Sequence, residues 1–141
     1  MKKTILVLSF FVATLFACAQ KTPPTVVSNA FTQKFKNAEK VKWDMEDANE
    51  WEAEFKLNGK GTSASFDLAG KWLETEIEIG KSELPAAVKA AIDKQFAGAK
   101  MGEAAIIETP DFNGYEIALK LKGKSFEVHA TKDGKLKVNK E

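Results

Sequence analysis

Apolar and polar residues alternate with period two through much of this chain. Trp51, Ala53, Phe55 and Leu57 interleave with Glu52, Glu54, Lys56 and Asn58. Side chains on a strand point alternately to opposite faces, so this reads as a strand with one dry and one wet face. Asn58-Gly59 supplies the positive φ angles of a tight hairpin turn. Val41, Trp43 and Met45 predict an earlier strand; Thr62 to Leu68 and Trp72 to Ile79 predict two later ones. In the last, Leu73, Thr75, Ile77 and Ile79 are expected on one face, and Trp72, Glu74, Glu76 and Glu78 on the other. Two stretches carry helical spacing instead. Val26, Val27, Ala30, Phe31 and Phe35 form one stripe after Pro24; Val88, Ala91, Ile92 and Phe96 form the second after Ser82-Glu-Leu-Pro85. Pro24 suits a helix start, and Ser82 is read as the N-cap of the second helix. Strands are then predicted at Ala104–Glu108, Tyr115–Leu121, Phe126–Ala130 and Leu136–Val138, with turns at 109–114, Lys122-Gly123 and Asp133-Gly134.

The pattern occurs twice. Pro24, Val27, Ala30, Phe35 and Ala38 recur 61 positions later as Pro85, Val88, Ala91, Phe96 and Ala99. Trp51, Phe55, Gly59, Gly70 and Lys71 recur 64 positions later as Tyr115, Leu119, Gly123, Gly134 and Lys135. Each unit is one helix followed by four antiparallel strands, and each buries one sheet face under its helix. The expected fold is α+β: tandem αββββ repeats, residues 20–80 and 81–141, forming one antiparallel sheet of about eight strands with both helices on one face.

The first residues have a different character. Met1-Lys-Lys-Thr4 is a positive stretch, Ile5 to Phe16 is an apolar run, and Ala17-Cys-Ala19 follows. This is the layout of a signal peptide, residues 1–19. Cleavage before Gln20 gives a periplasmic or secreted protein. Leu15-Phe16-Ala17-Cys18 also resembles a lipobox, in which case Cys18 is lipidated and the protein is a membrane-anchored lipoprotein. The apolar run is shorter than the ~20 residues of a membrane span. Cys18 is the one cysteine of 141 residues, so the folded part has no disulfide or thiol nucleophile. The 21 basic residues are all Lys and face 20 acids. That balance does not point to nucleic acid.

Candidate chemistry is sparse. His129, the single histidine, shares parity with Glu127, and two ligands are too few for a zinc site. Ser63 and Ser65 lie in a strand without the strained elbow of a nucleophilic serine. Glu74, Glu76 and Glu78 form an acidic row, which leaves calcium or a small ligand as an alternative binding function. The wet face itself carries more information. In the first repeat it is expected to present Glu52, Glu54, Asp67, Trp72, Glu74, Glu76 and Glu78. In the second it is expected to present Lys120, Lys122, Glu127, His129, Lys135 and Lys137. Such a face either keeps a monomer soluble or is a polarised docking surface with Trp72 as its anchor.

The motifs Val41-x-Trp43, Trp51-Glu-Ala-Glu-Phe55, Phe66-Asp67-x-x-Gly70-x-Trp72 and Leu84-Pro85-x-x-Val88 resemble the PepSY-like family. Its members are also described as beta-lactamase-inhibitor-like, small exported proteins of Bacteroidota. The resemblance implies a tandem αββββ scaffold over residues 20–141. The repeat, the export signal and the missing catalytic set point to a non-enzymatic protein-binding module without a cofactor, with inhibition of an envelope enzyme such as a peptidase as its finer form; the resemblance supplies a scaffold and no target. The partner is an unknown envelope protein, and a monomer is expected. The candidate partner-binding residues are Glu52, Glu54, Asp67, Trp72, Glu74, Glu76, Glu78, Lys120, Lys122 and His129.

Overall fold

The structure, a computed structural model, describes residues 21–139. The signal peptide expected over residues 1–19, and Cys18 with it, lies outside the described residues. Two helices and eight strands follow in the expected order. They are α1 (Thr25–Lys34), β1 (Glu39–Asp47), β2 (Glu50–Leu57), β3 (Lys60–Asp67), β4 (Trp72–Ile79), α2 (Ala86–Gln95), β5 (Lys100–Thr109), β6 (Phe112–Leu121), β7 (Lys124–Ala130) and β8 (Leu136–Val138). The strands form one eight-stranded sheet in chain order, β1 to β8, so the fold is α+β. The chain divides into two compact units, one ending at Thr75 and the other running over Glu76–Glu141.

In the first unit, α1 covers one face of its strands. Val27, Phe31 and Phe35, four residues apart, are buried against Trp51, Ala53, Phe55, Ala64 and Phe66. Phe31 is the hub. Its ring lies 5.0 Å from Phe55 at 86°, 5.2 Å from Trp43 at 71° and 5.3 Å from Phe35. Edge-to-face pairs of this kind add about 0.5–1.5 kcal/mol each beyond burial of their area. The second unit repeats the plan with aliphatic side chains. Leu84, Val88 and Ile92 pack on Ala104, Ile117, Leu119, Val128 and Ala130. One aromatic pair, Phe96 and Phe126 at 5.2 Å, closes that core's edge.

Each helix starts on a proline. The Pro24 carbonyl accepts from the Val27 and Ser28 N–H groups, and the Pro85 carbonyl from those of Val88 and Lys89. Ser82 does not cap α2, contrary to its sequence reading. Leu84 precedes Pro85, and a residue before proline is pushed out of the helical region. Leu84 is accordingly extended, at φ −61° and ψ 138°, and Ser82 falls in a separate 3-10 turn, Lys81–Glu83. There Glu83 accepts from the Gly80 N–H at 2.8 Å. The second repeat's first strand is also longer than its sequence suggests. It begins at Lys100 and includes a register shift between Met101 and Ala104 that interrupts the alternation.

Two turns run close against the first turns of the helices. Asp67 N–H bonds to the Lys71 carbonyl, and Thr131 N–H to that of Lys135, both at 3.0 Å. These loops contain Gly70 at φ 81° and Gly134 at φ 86°. A Cβ at Gly70 would stand 2.8 Å from the Val26 carbonyl oxygen; one at Gly134 would stand 2.6 Å from that of Ala87. In both repeats the turn therefore needs glycine twice over, for its φ and for its approach to the helix's first turn. Gly134→Ala is expected to destabilise the protein by about 2–4 kcal/mol, the sum of backbone strain and a displaced helix start. Gly123→Ala should cost about 1–2 kcal/mol, because Gly123 shares the positive φ but has nothing within 4 Å of its Cβ position. Urea denaturation of the two variants checks the difference.

Candidate functional site

The sheet faces opposite the helices carry the charged residues. In the first unit Trp51, Ala53 and Phe55 point to α1, so Glu50, Glu52 and Glu54 point away from it. Register sets Glu52 between Asp44 and Ser65, and Glu54 between Lys42 and Ser63. A register shift between Met45 and Asp47 brings Glu46 into the same neighbourhood. Burial pushes the Glu52 carboxyl up to about 7, helped by the charges of Glu46, Glu54 and Glu50 and opposed by a hydrogen bond with Ser63. Glu50 is raised for the same main reason, burial, with Ser65 opposing. The chain thus maintains two half-buried carboxylates, Glu50 and Glu52, beside the exposed ones of Glu46 and Glu54.

The structure relocates several residues that the sequence assigned to this face. Trp72 packs against the α1-side core, and the Lys34 ammonium lies 3.7 Å above its ring centroid. Its Nε1–H donates to Thr75 Oγ at 2.9 Å. The Asp67–Lys71 turn is responsible: it leads Trp72 into the α1-side core that holds Phe66. Trp72 is therefore not an anchor beside Glu52 and Glu54. Glu76 is 3% exposed and Glu78 is half-buried, so the expected acidic row is not an open ladder. Asp67 is half-buried in its turn, where Oδ1 accepts from the Ala69 and Lys71 N–H groups at 2.9 Å. Among the described residues no group of three or more His, Cys, Asp or Glu is arranged to hold a metal ion.

In the second unit His129 has a partner that sequence reading missed. Glu116 faces it directly across β6 and β7, and Oε2 lies 2.8 Å from Nε2. Asn139 Nδ2 lies 2.9 Å from the same nitrogen. Nε2 carries one hydrogen or one lone pair, so it serves Glu116 as donor or Asn139 as acceptor, not both at once. The Phe112 ring stacks on the imidazole at 5.2 Å and 14°. Glu116 is 4% exposed, and among the described residues no donor reaches its Oε1. The signal was in the repeat: Glu116 and His129 occupy the places of Glu52 and Ser65, which also face each other. Glu127 is half-buried on this face, opposite Ala118 rather than beside the Glu116–His129 pair. Lys120 and Lys122 are exposed, Lys122 within its turn at φ 50°. No nucleophile joins the Glu116–His129 pair among the described hydrogen bonds.

These features define a class: a duplicated αββββ scaffold with charged residues on the sheet faces opposite its helices. The family described as putative beta-lactamase-inhibitor-like, PepSY-like matches residues 49–138, more than half of the chain, and the chain belongs to it. Solved structures agree on the fold. A BLIP-like protein from Bacteroides fragilis superposes with a TM-score of 0.73 at 22% identity, over 84% of this chain and 86% of that one. A DUF2874 family protein from Bacteroides ovatus gives 0.71 at 21%, over 84% and 89%. A protein from Bacteroides eggerthii described as a putative periplasmic protein gives 0.71 at 19%, over 84% and 90%. No curated protein matches the sequence.

Two measurements probe these clusters. The Glu52 carboxyl holds its proton up to about pH 7 in the folded state, against a usual value of 4.5. Between those values the folded chain binds the extra proton, so this group's contribution to stability falls as pH rises from about 4.5 to 7. Glu52→Gln removes that loss. The variant should match the parent near pH 4 and exceed it by about 1–2 kcal/mol at pH 8, the fully buried ceiling being about 3. His129→Ala leaves Glu116 buried without its partner and should cost about 3 kcal/mol, the lower end for a broken buried pair. Glu116→Leu combined with His129→Ala should recover most of that loss in chemical denaturation.

Proposed function

We propose that this protein is an exported, non-catalytic module that binds another envelope protein through the sheet faces opposite its helices. Inhibition of a partner enzyme such as a peptidase is the finer reading. The observation that carries it is the Glu46, Glu50, Glu52 and Glu54 cluster. Burial first, with the charges of Glu46, Glu54 and Glu50 added, raises Glu52 to about 7, and this weakens the isolated fold at neutral pH. A complementary cation from a partner would relieve them, which makes the face a binding surface. The family's beta-lactamase-inhibitor-like description supports a protein partner over a substrate. The periplasmic description of the Bacteroides eggerthii protein supports export. No helix among the described residues is long and apolar enough to cross a membrane.

The test is crosslinking in the native cells followed by mass spectrometry, with the parent and with Glu52→Lys/Glu54→Lys. The parent should recover a defined envelope protein, and the double variant should reduce its yield at least fivefold. Undiminished recovery with the double variant, folded as judged by circular dichroism, rejects this face. The intact mass of the mature chain separately reads whether Cys18 is lipidated.

A further inference from the structure

The duplication supplies an internal comparison for one corner of the second unit. In the first repeat Glu39 faces Lys56, and Lys42 faces Glu54, so both cross-strand pairs have opposite charges. Lys120 stands 64 positions after Lys56, and Lys100 stands 61 after Glu39. These two lysines face each other across β5 and β6. Like charges directly opposed on neighbouring strands destabilise a sheet. Among the described residues neither lysine forms a salt bridge. Glu54 is replaced by Ala118 at the same 64-residue offset. The second repeat has thus lost both carboxylates at positions where the first repeat supplies them.

Their loss leaves space as well as charge. Gly102, Ala118 and Ser125 line a shallow hollow of about 300 Å³, with Lys100 and Lys120 at its rim. Lys122 and Lys124 are exposed in and beside the adjoining turn. Two acids border the region. Glu127 faces Ala118 from β7, and Glu103, on the β5 bulge, has Glu78 as its interacting charge.

Resting on the protein-binding reading above, we propose that this hollow docks an acidic, extended segment of the partner protein. Its carboxylates would pair with Lys100 and Lys120, and a small apolar side chain would sit over Gly102 and Ala118. The partner thereby restores the charge pairing that the first repeat makes within itself. A peptide fits better than a free oxyanion such as phosphate. The floor is apolar, and the chain has no arginine for bidentate anion binding.

The probe is a short fluorescein-labelled peptide alternating glutamate with alanine and valine, beside its glutamine counterpart. Binding to the mature chain is followed by fluorescence anisotropy in low salt. Lys100→Glu, Lys120→Glu and Gly102→Leu should each weaken the glutamate peptide at least tenfold. Lys56→Glu, the same charge change in the other repeat, should stay within threefold. Carbodiimide coupling should join the peptide to Lys100 or Lys120 in tryptic maps. Four outcomes overturn the proposal. Lys56→Glu as damaging as Lys120→Glu means net charge alone. Displacement of the probe by inorganic phosphate at peptide concentration means a free-anion site. A dimer in light scattering that Lys120→Glu abolishes, without any peptide binding, means the hollow receives a second copy. A partner recovered by cellular crosslinking but mapped away from this hollow also overturns it, while leaving the protein-binding reading intact.

Discussion

Everything in this fold depends on the seating of each ten-residue helix on the apolar face of its own strands. A helix of that length is marginal in water by itself. A meander with one uncovered apolar face is hardly better placed. Val27, Phe31 and Phe35 in one unit, and Leu84, Val88 and Ile92 in the other, supply the burial that makes both halves of each pair persist. Once the helix has claimed one face, the fate of every other strand residue is set. Even the charged character of the opposite face follows, because it is what the alternation leaves over.

That logic explains what the sequence revealed and what it concealed. Period-two alternation and the recurring Gly-Lys turns made the strands, their order and the duplication legible. Alternation says which residues share a face within a strand; it does not say which face. For β2 the choice was plain, since Trp51, Ala53 and Phe55 are all apolar. For β4 it was not: Ile79 packs on the α2-side core as its alternation suggests, yet Trp72, of the opposite parity, joins the α1-side core. The turn at Asp67–Lys71 made that decision through backbone geometry, and the sequence offered only Gly70 as a clue. The Glu116–His129 pair was hidden differently. Its members are 13 residues apart, and their meeting depends on the register of β6 with β7. Glu127, nearer in sequence and equal in parity, looked the better partner.

The two repeats have kept the geometry and exchanged the chemistry. Phe31 and Phe55 are matched by Ile92 and Leu119, so an aromatic core became an aliphatic one with the same helix spacing. On the faces opposite the helices Glu52 and Ser65 are matched by Glu116 and His129, which turns a crowded carboxylate into a paired one. At the strand ends an opposite-charge pair, Glu39 and Lys56, is matched by two lysines. Duplication with divergence of this kind yields two dissimilar surfaces on one scaffold. A partner recognised by both would be oriented as well as held.

The hairpin tips fall into two mechanical classes. Gly70 and Gly134 press on helix carbonyls, whereas Gly59 and Gly123 have no atom within 4 Å of their Cβ positions. The first pair is closely packed: each turn lies against the first turn of its helix and leaves no room for a side chain. The second pair stands free, and its turns can accept a lengthened loop, a fluorophore or a fused domain without disturbing helix seating. These tips are the natural points at which to attach a reporter, and the places where relatives can lengthen a loop without reshaping the fold.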